Sequence, residues 1–357
     1  MGLLGEDEHH PGSYYDFYRD RLMIPQRDRY GRILTFTARA INPHATIKYI
    51  NGRESLIYKK STSVFGIDVA MKAARQSGKV YLVEGAPDVM RLQSLGIANV
   101  VATLSGHWTK EQLSNFSSFA CSLCFIPDSD IPKPGEQFGA GEKFVFENGR
   151  LATEMGFQVS VREIPRGDVK QDADSYITSM DKWNELTEKD FILWYAEKQY
   201  ASDGTNDEQL KVISDVCDML VNVQSDVLQA SLLSDLKGKY RKGSVWKGAL
   251  TDAARRRQEE KRRQANRKSE ELRGYNFYRR GNHYYDLDPQ GREREWTNFV
   301  IKPLFLITDD VKPSRIFELL NESHMRRTIE LQQQDVTKLD RFKEKIEGKG
   351  DFRFFER

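Results

Sequence analysis

Residues 79–96 read "KVYLVEGAPDVMRLQSLG". A β-prone apolar run ends in a carboxylate and a glycine. A helical stretch follows, with Pro87 where a first turn tolerates proline and Gly96 as its stop. Working outward, "NVVATL" reads as a strand, "TKEQLSNFSSFA" as a helix and "SLCFIPDSD" as a strand. Next come a helix in "GEKFVFENGRLATEMG" and a strand in "QVSVREIP". Strands alternating with helices make βαβ units, so the expected fold class is α/β with a mainly parallel sheet flanked by helices.

The flanks differ from this middle. Ahead of it, "RLMIPQRDRYGRILTFTARAI" predicts a hairpin turning at "RDRYGR", within a small α+β region over 1–77. Behind 78–180, "EKDFILWYAEKQY" and "DEQLKVISDVCDMLVNVQSDVLQASLLSDL" carry apolar residues at three- and four-residue spacing, which predicts a helical domain over 181–252. Residues 275–357 read as an α+β region. It is β-rich up to "KPLFLITD", with a turn at "DPQG", a helix near "KPSRIFELLNES" and a terminal strand in "GKGDFRFFER".

A chain of 357 residues exceeds one ordinary domain. With 39% hydrophobic and 30% charged residues and a mean hydropathy of -0.65, it reads as globular. No apolar run reaches the ~20 residues a bilayer requires, and the first residues lack a signal peptide's pattern. A cytoplasmic protein is expected. Three cysteines exclude a disulfide framework, and Cys121 and Cys124 of "FACSLCFIP" read as core residues. Net charge is only +2, yet Ala253–Arg280 holds eleven Lys/Arg against four Asp/Glu. This predicts a long polar helix over 253–274, either a solvated connector or a helix that also touches nucleic-acid phosphates.

Acidic residues fall repeatedly where strands end. Glu84 ends the first strand, with Asp88 a helical turn later. Asp128 and Asp130 end the third as D-x-D, and Asp172 with Asp174 repeat that spacing after the fourth. Sites in open parallel sheets lie beyond the strands' carboxyl ends. Any one of these acids alone reads as a polar cap. Together they need compensation, because like charges at short range resist ionising together. Mg2+ or Mn2+ would supply it, and phosphoryl transfer is the implied chemistry.

"VYLVEGAPDVMRL" followed by "FIPDSD" resembles the TOPRIM domain of bacterial-type DNA primases, type IA and II topoisomerases, OLD-type nucleases and recombination factors. The flanks point to the primases, including those of phages and mobile elements. "YYDFYRDRLMIPQRDRYGRILTFTARAI" and "IKYINGRESLIYKKSTSVFGIDVA" resemble the stretch preceding the primase TOPRIM domain, and "KQDADSYI" is similar to the segment closing the primase catalytic core. The resemblance implies that Glu84, Asp88, Asp128, Asp130, Asp172 and Asp174 hold divalent metal, with Glu84, Asp128 and Asp130 catalytic. It places Arg39, Lys48, Asn51 and Lys60 at template or nucleotide phosphates. It implies primer synthesis from ribonucleoside triphosphates on single-stranded DNA, with a replicative helicase as partner.

The departures carry their own expectations. No Cys/His set for the family's zinc-binding domain is present, so no zinc is expected in this chain, and a zinc-domain protein would act in trans. The chain is expected to be a primase-like fragment of a longer replication protein or one half of a split pair. Ser129 stands where the family's D-x-D carries glycine. Residues 275–357 would be an incomplete helicase-associated domain, and no G-x-x-x-x-G-K-[ST] loop occurs. A TOPRIM nuclease and a non-catalytic, helicase-recruiting DNA-binding subunit are the competing readings; topoisomerase is weaker, for want of strand-passage domains.

Overall fold

The computed structural model describes residues 3–6, 10, 12–119, 122–273, 277–287, 292–307, 314–347 and 351–355. The chain divides into two units, Met1–Arg257 and Gln258–Arg357.

The first unit opens with a short antiparallel pair, β1 (Leu4–Glu6) and β2 (Tyr14–Asp16). The predicted hairpin follows as β3 (Arg21–Arg27) and β4 (Ile33–Ala40). The Asp28 carboxylate closes its turn by accepting the Tyr30 and Arg32 N–H groups at 2.9 and 3.0 Å, and Gly31 takes the positive φ of 81°. β5 (Tyr49–Asn51) adds a third antiparallel strand with Arg39 opposite Tyr49 and Thr37 opposite Asn51.

Next come α1 (Ile67–Ser77), β6 (Lys79–Val83), α2 (Ala86–Ser94), β7 (Val100–Ala102), α3 (Lys110–Ser114), β8 (Ser122–Phe125), α4 (Ala140–Glu154) and β9 (Gln158–Arg162). α5 (Ala173–Tyr176), α6 (Met180–Glu185) and β10 (Glu188–Asp190) complete this part. The sheet order is β10-β9-β8-β6-β7, parallel except for β10. Its inner strands β6 and β8 carry apolar residues on both faces, as helix-covered parallel strands must. Val80, Leu82, Val101, Leu123 and Phe125 join one core with α1, α4 and the helices beyond β10. The alternate residues Val83, Val100, Ala102 and Ile126 join a second core with α2, α5 and α6. Cys124 is buried, and burial pushes its thiol up to about 12, whereas Cys121 lies outside the described residues.

Three features differ from the sequence reading. "EKDFILWYAEKQY" is not one helix: β10 pairs antiparallel with β9, and Asp190 then caps α7 (Phe191–Gln199) by accepting the Ile192 N–H at 2.8 Å. The next helical run breaks at 221–225 into α8 (Asn206–Leu220) and α9 (Asp226–Tyr240). These helices enclose no core of their own, since Phe191, Trp194, Val216, Leu220, Leu236 and Trp246 belong to the same cluster as the sheet. The polar helix starts earlier than its charge run suggests: α10 (Gly243–Arg273) begins at Gly243 and buries Trp246 and Ala253 before its basic part. Gly274, the expected stop, lies outside the described residues.

In the second unit, β11 (Phe277–Arg280), β12 (His283–Leu287) and β13 (Glu293–Thr297) form one antiparallel sheet. β14 (Phe299–Ile307), β15 (Ser314–Asn321) and β16 (Arg326–Gln332) form another, followed by α11 (Gln333–Thr337) and α12 (Leu339–Glu347). The helix expected near "KPSRIFELLNES" is therefore corrected to strand β15. Its Phe317, Leu319 and Asn321 point inward at period two. The end expected as a strand makes a single bridge, Phe354 to Thr297, and the "DPQG" turn lies outside the described residues. No described helix is long and apolar enough to cross a membrane.

Candidate active site

Glu84 follows the last residue of β6, and Asp128 stands just beyond β8. These strands are neighbours, with Leu82 opposite Phe125. Here the strand order reverses, because β7 lies on one side of β6 and β8 on the other. Open α/β sheets form their binding crevice at such a switch point. The Asp128 N–H donates to Glu84 Oε1 at 3.3 Å, and carboxylate oxygens of Glu84, Asp128 and Asp130 lie within 4.8 Å of one another. Asp130 Oδ2 accepts the Gly141 N–H at 2.9 Å, which ties the D-x-D loop to the first turn of α4.

The other acids are placed by local backbone needs. Asp88 Oδ2 accepts the Gly85 N–H at 3.0 Å and so caps α2, while its Oδ1 accepts the Asp174 N–H at 3.0 Å. Asp172 caps α5 by accepting the Ser175 N–H at 2.8 Å. A cleft of about 310 Å³ is lined by Glu84, Asp88, Asp128 and Asp172 and, from the antiparallel sheet, by Thr37, Tyr49 and Asn51. The Thr37 hydroxyl donates to Asn51 Oδ1 at 2.8 Å, and Asn51 Nδ2 donates to the Leu104 carbonyl at 3.4 Å. Leu104, also on the cleft wall, holds φ at 56°, a conformation a branched side chain resists and one found at functional sites.

Charge is crowded here. Burial, with the Asp128 charge second, pushes the Glu84 carboxyl up to about 7. The same causes bring Asp88 to about 7. Burial also raises Asp128, against the pull of Lys170. Lys170 Nζ lies 2.8 Å from both Asp128 and Asp130; burial opposes its charge, but bonds to the two aspartates outweigh this and raise its pKa. The converging carboxylates of Glu84, Asp128 and Asp130 are an oxygen-only donor set short of positive charge. This set fits a hard divalent cation such as Mg2+ or Mn2+.

Residues 1–71 match the family described as "DNA primase catalytic core, N-terminal domain", and residues 81–177 match "Toprim-like". A DNA primase of Staphylococcus aureus is 30% identical over 176 residues, 49% of this chain and 27% of that protein. A DNA primase of Synechococcus elongatus is 33% identical over 165 residues, 46% of this chain and 23% of that protein. The solved Aquifex aeolicus primase, comprising zinc-binding and RNA polymerase domains, superposes with a TM-score of 0.54 at 26% identity. That superposition covers 68% of this chain and 57% of the other. Residues 1–71 and 81–177 thus match the core of bacterial-type TOPRIM primases. The chain's matches span about a quarter of the length of these curated relatives.

Within this primase-like region, the structure brings Glu84, Asp88, Asp128, Asp172 and Asn51 to one cleft, with Asp130 in the carboxylate cluster beside it. Asp174 is not among the lining residues: its carboxylate accepts from Arg91 Nε at 3.0 Å. Arg39 stands over the Tyr49 ring at 5.7 Å, beside the cleft. Lys48 and Lys60 are exposed and do not line it. Sequence reasoning missed Thr37, Tyr49, Arg91 and Lys170. A signal existed for Lys170, the one cation within "KQDADSYI", since a crowd of acids calls for a nearby positive charge.

Proposed function

We propose that this primase core joins ribonucleoside triphosphates into short RNA primers on single-stranded DNA in the cytoplasm. The observation that carries the reading is the shared cleft, where the acids at the ends of β6 and β8 face Thr37, Tyr49 and Asn51 of the antiparallel sheet. Glu84, Asp128 and Asp130 would hold a divalent ion, with Asp88 and Asp172 beside them. The ion's contribution when bound is charge neutralisation at the reacting phosphates.

The chain's own residues supply position. Asn51, fixed by Thr37 and the Leu104 carbonyl, presents a set amide to a bound nucleotide. Arg39, over Tyr49, sets a cation beside the cleft. Lys48 and Lys60, both exposed, would meet template or triphosphate phosphates. The 3′-oxygen of one nucleotide forms its bond to the α-phosphorus of the next as the bond to pyrophosphate breaks. Asp174, paired with Arg91, acts by holding α5 against α2 and so fixing Asp172 and Asp88.

The test is incorporation of labelled ribonucleotides on single-stranded DNA with Mg2+ or Mn2+. Short RNA products are expected from the wild type and none from a Glu84→Gln, Asp128→Asn double variant that still binds DNA. Metal-dependent DNA cleavage without synthesis would instead identify a nuclease. DNA binding with neither reaction would identify a recruiting subunit.

A further inference from the structure

Lys170 is the cation closest to the D-x-D pair, and its place is built by the backbone rather than by the reach of a long side chain. Its Nζ lies 2.8 Å from Asp128 Oδ2 and 2.8 Å from Asp130 Oδ1. Between those aspartates, the Ser129 N–H donates to the Gln171 carbonyl at 2.7 Å, making an isolated antiparallel bridge. The Ser129 hydroxyl donates to the Pro165 carbonyl at 3.3 Å. One residue thus fastens both ends of the 165–171 loop beneath the aspartates. A third tie comes from α4, where Glu142 accepts from Arg166 at 2.8 Å. Three fixed points hold the Lys170 backbone beside the aspartates, within reach of its ammonium.

We infer that Lys170 is a built-in counter-cation of Asp128 and Asp130 that competes with divalent metal for them. A divalent ion that takes Asp128 Oδ2 and Asp130 Oδ1 displaces the ammonium, because two cations at contact distance repel each other strongly. Free metal therefore binds weakly. A metal ion arriving with a triphosphate binds well, since its phosphate oxygens give the displaced ammonium a new anionic partner. The 53% exposed Lys170 side chain has room to make that move. Metal loading is thereby tied to nucleotide arrival. The inference rests on the reading that these carboxylates hold a divalent ion.

The experiment is Mn2+ binding to the full chain, without DNA, followed by electron paramagnetic resonance with and without α,β-methylene-ATP. Lys170→Met is expected to bind Mn2+ alone at least about tenfold more tightly than the wild type, as removal of a contacting charge from a carboxylate pair requires. Lys170→Arg should keep the wild-type weakness, and Ser129→Gly, which frees the Pro165 end of the loop, should fall between. With the analogue present, the gap between Lys170→Met and wild type should narrow. Equal or weaker Mn2+ binding by Lys170→Met, with wild-type binding measurable, overturns the counter-cation alone. No Mn2+ binding by any of these proteins, with or without the analogue, overturns the metal reading and this inference together.

Discussion

Burial holds the Glu84 and Asp88 carboxyls at about 7, against ordinary values of 4.5 and 3.8. Between those limits the folded protein binds more protons at these groups than the unfolded chain does. Their share of stability therefore falls as pH rises from about 4 to 7, and the full cost is present above 7. Glu84→Gln removes one such charge and keeps an oxygen for the Asp128 N–H. In EDTA at pH 8 the variant should be more stable than the wild type by about 1–3 kcal/mol, while at pH 4 the two should coincide. Saturating Mn2+ should reverse the order at pH 8, because only the wild type keeps the full ligand set. Urea unfolding at the two pH values reads all three outcomes, and a variant weaker at both would refute the account. The acids were legible in sequence because each sits at a strand or helix end. The diversion of Asp174 was not, since its partner Arg91 is 83 residues away.

At the scale of elements, α4 can meet the D-x-D loop only because its first turn is bare. A Cβ on Gly141 would stand 2.2 Å from the Asp128 carbonyl oxygen and 3.0 Å from its nitrogen, and backbone cannot swing aside. Gly141→Ala should therefore cost about 1–3 kcal/mol and weaken Mn2+ binding together. Gly248→Ala in α10 is the contrast: nothing lies within 4 Å of its Cβ, so it should gain up to about 1 kcal/mol and leave Mn2+ binding unchanged. Thermal melts with Mn2+ titration separate the two; a neutral Gly141→Ala would show that the close approach is not required. The strand-helix rhythm from 79 to 162 was readable because apolar strands and glycine-ended helices punctuate it. β15 was misread because "RIFELL" mixes strong helix formers with a short apolar run, for which periodicity does not discriminate. Its pairing on both edges, with β14 and β16, overrides that propensity. β10 was missed because its polar "EKD" is an edge strand, held by Glu188 against Lys79 at 2.7 Å and Ser160 at 2.6 Å.

For the whole molecule, the stretch legible as a family and the stretch that folds are of different lengths. The family matches stop at residue 177, yet the main core continues through α7, α8, α9 and the start of α10. Heptad-like spacing in those helices announced that they are helical, but nothing local could say that their apolar faces close over the parallel sheet. Gly149 shows how tight that closure is, since a Cβ there would meet the Phe191 ring at 2.5 Å. A chain ended after residue 180 would expose the sheet face that Phe191, Trp194 and Val216 cover and would lose β10 from the sheet's edge. At 25 cal/mol/Å², baring several large side chains costs about as much as the roughly 5–15 kcal/mol by which domains are stable. Such a truncation should therefore aggregate or lack a cooperative melt, although it retains every candidate active-site residue. A chain ended after Arg257 keeps that core whole and should unfold in one transition and bind Mn2+ like the full chain. Calorimetry on the two truncations decides the matter: a cooperative transition in the shorter one would show that the parallel sheet is self-sufficient and that the helices are an appended domain.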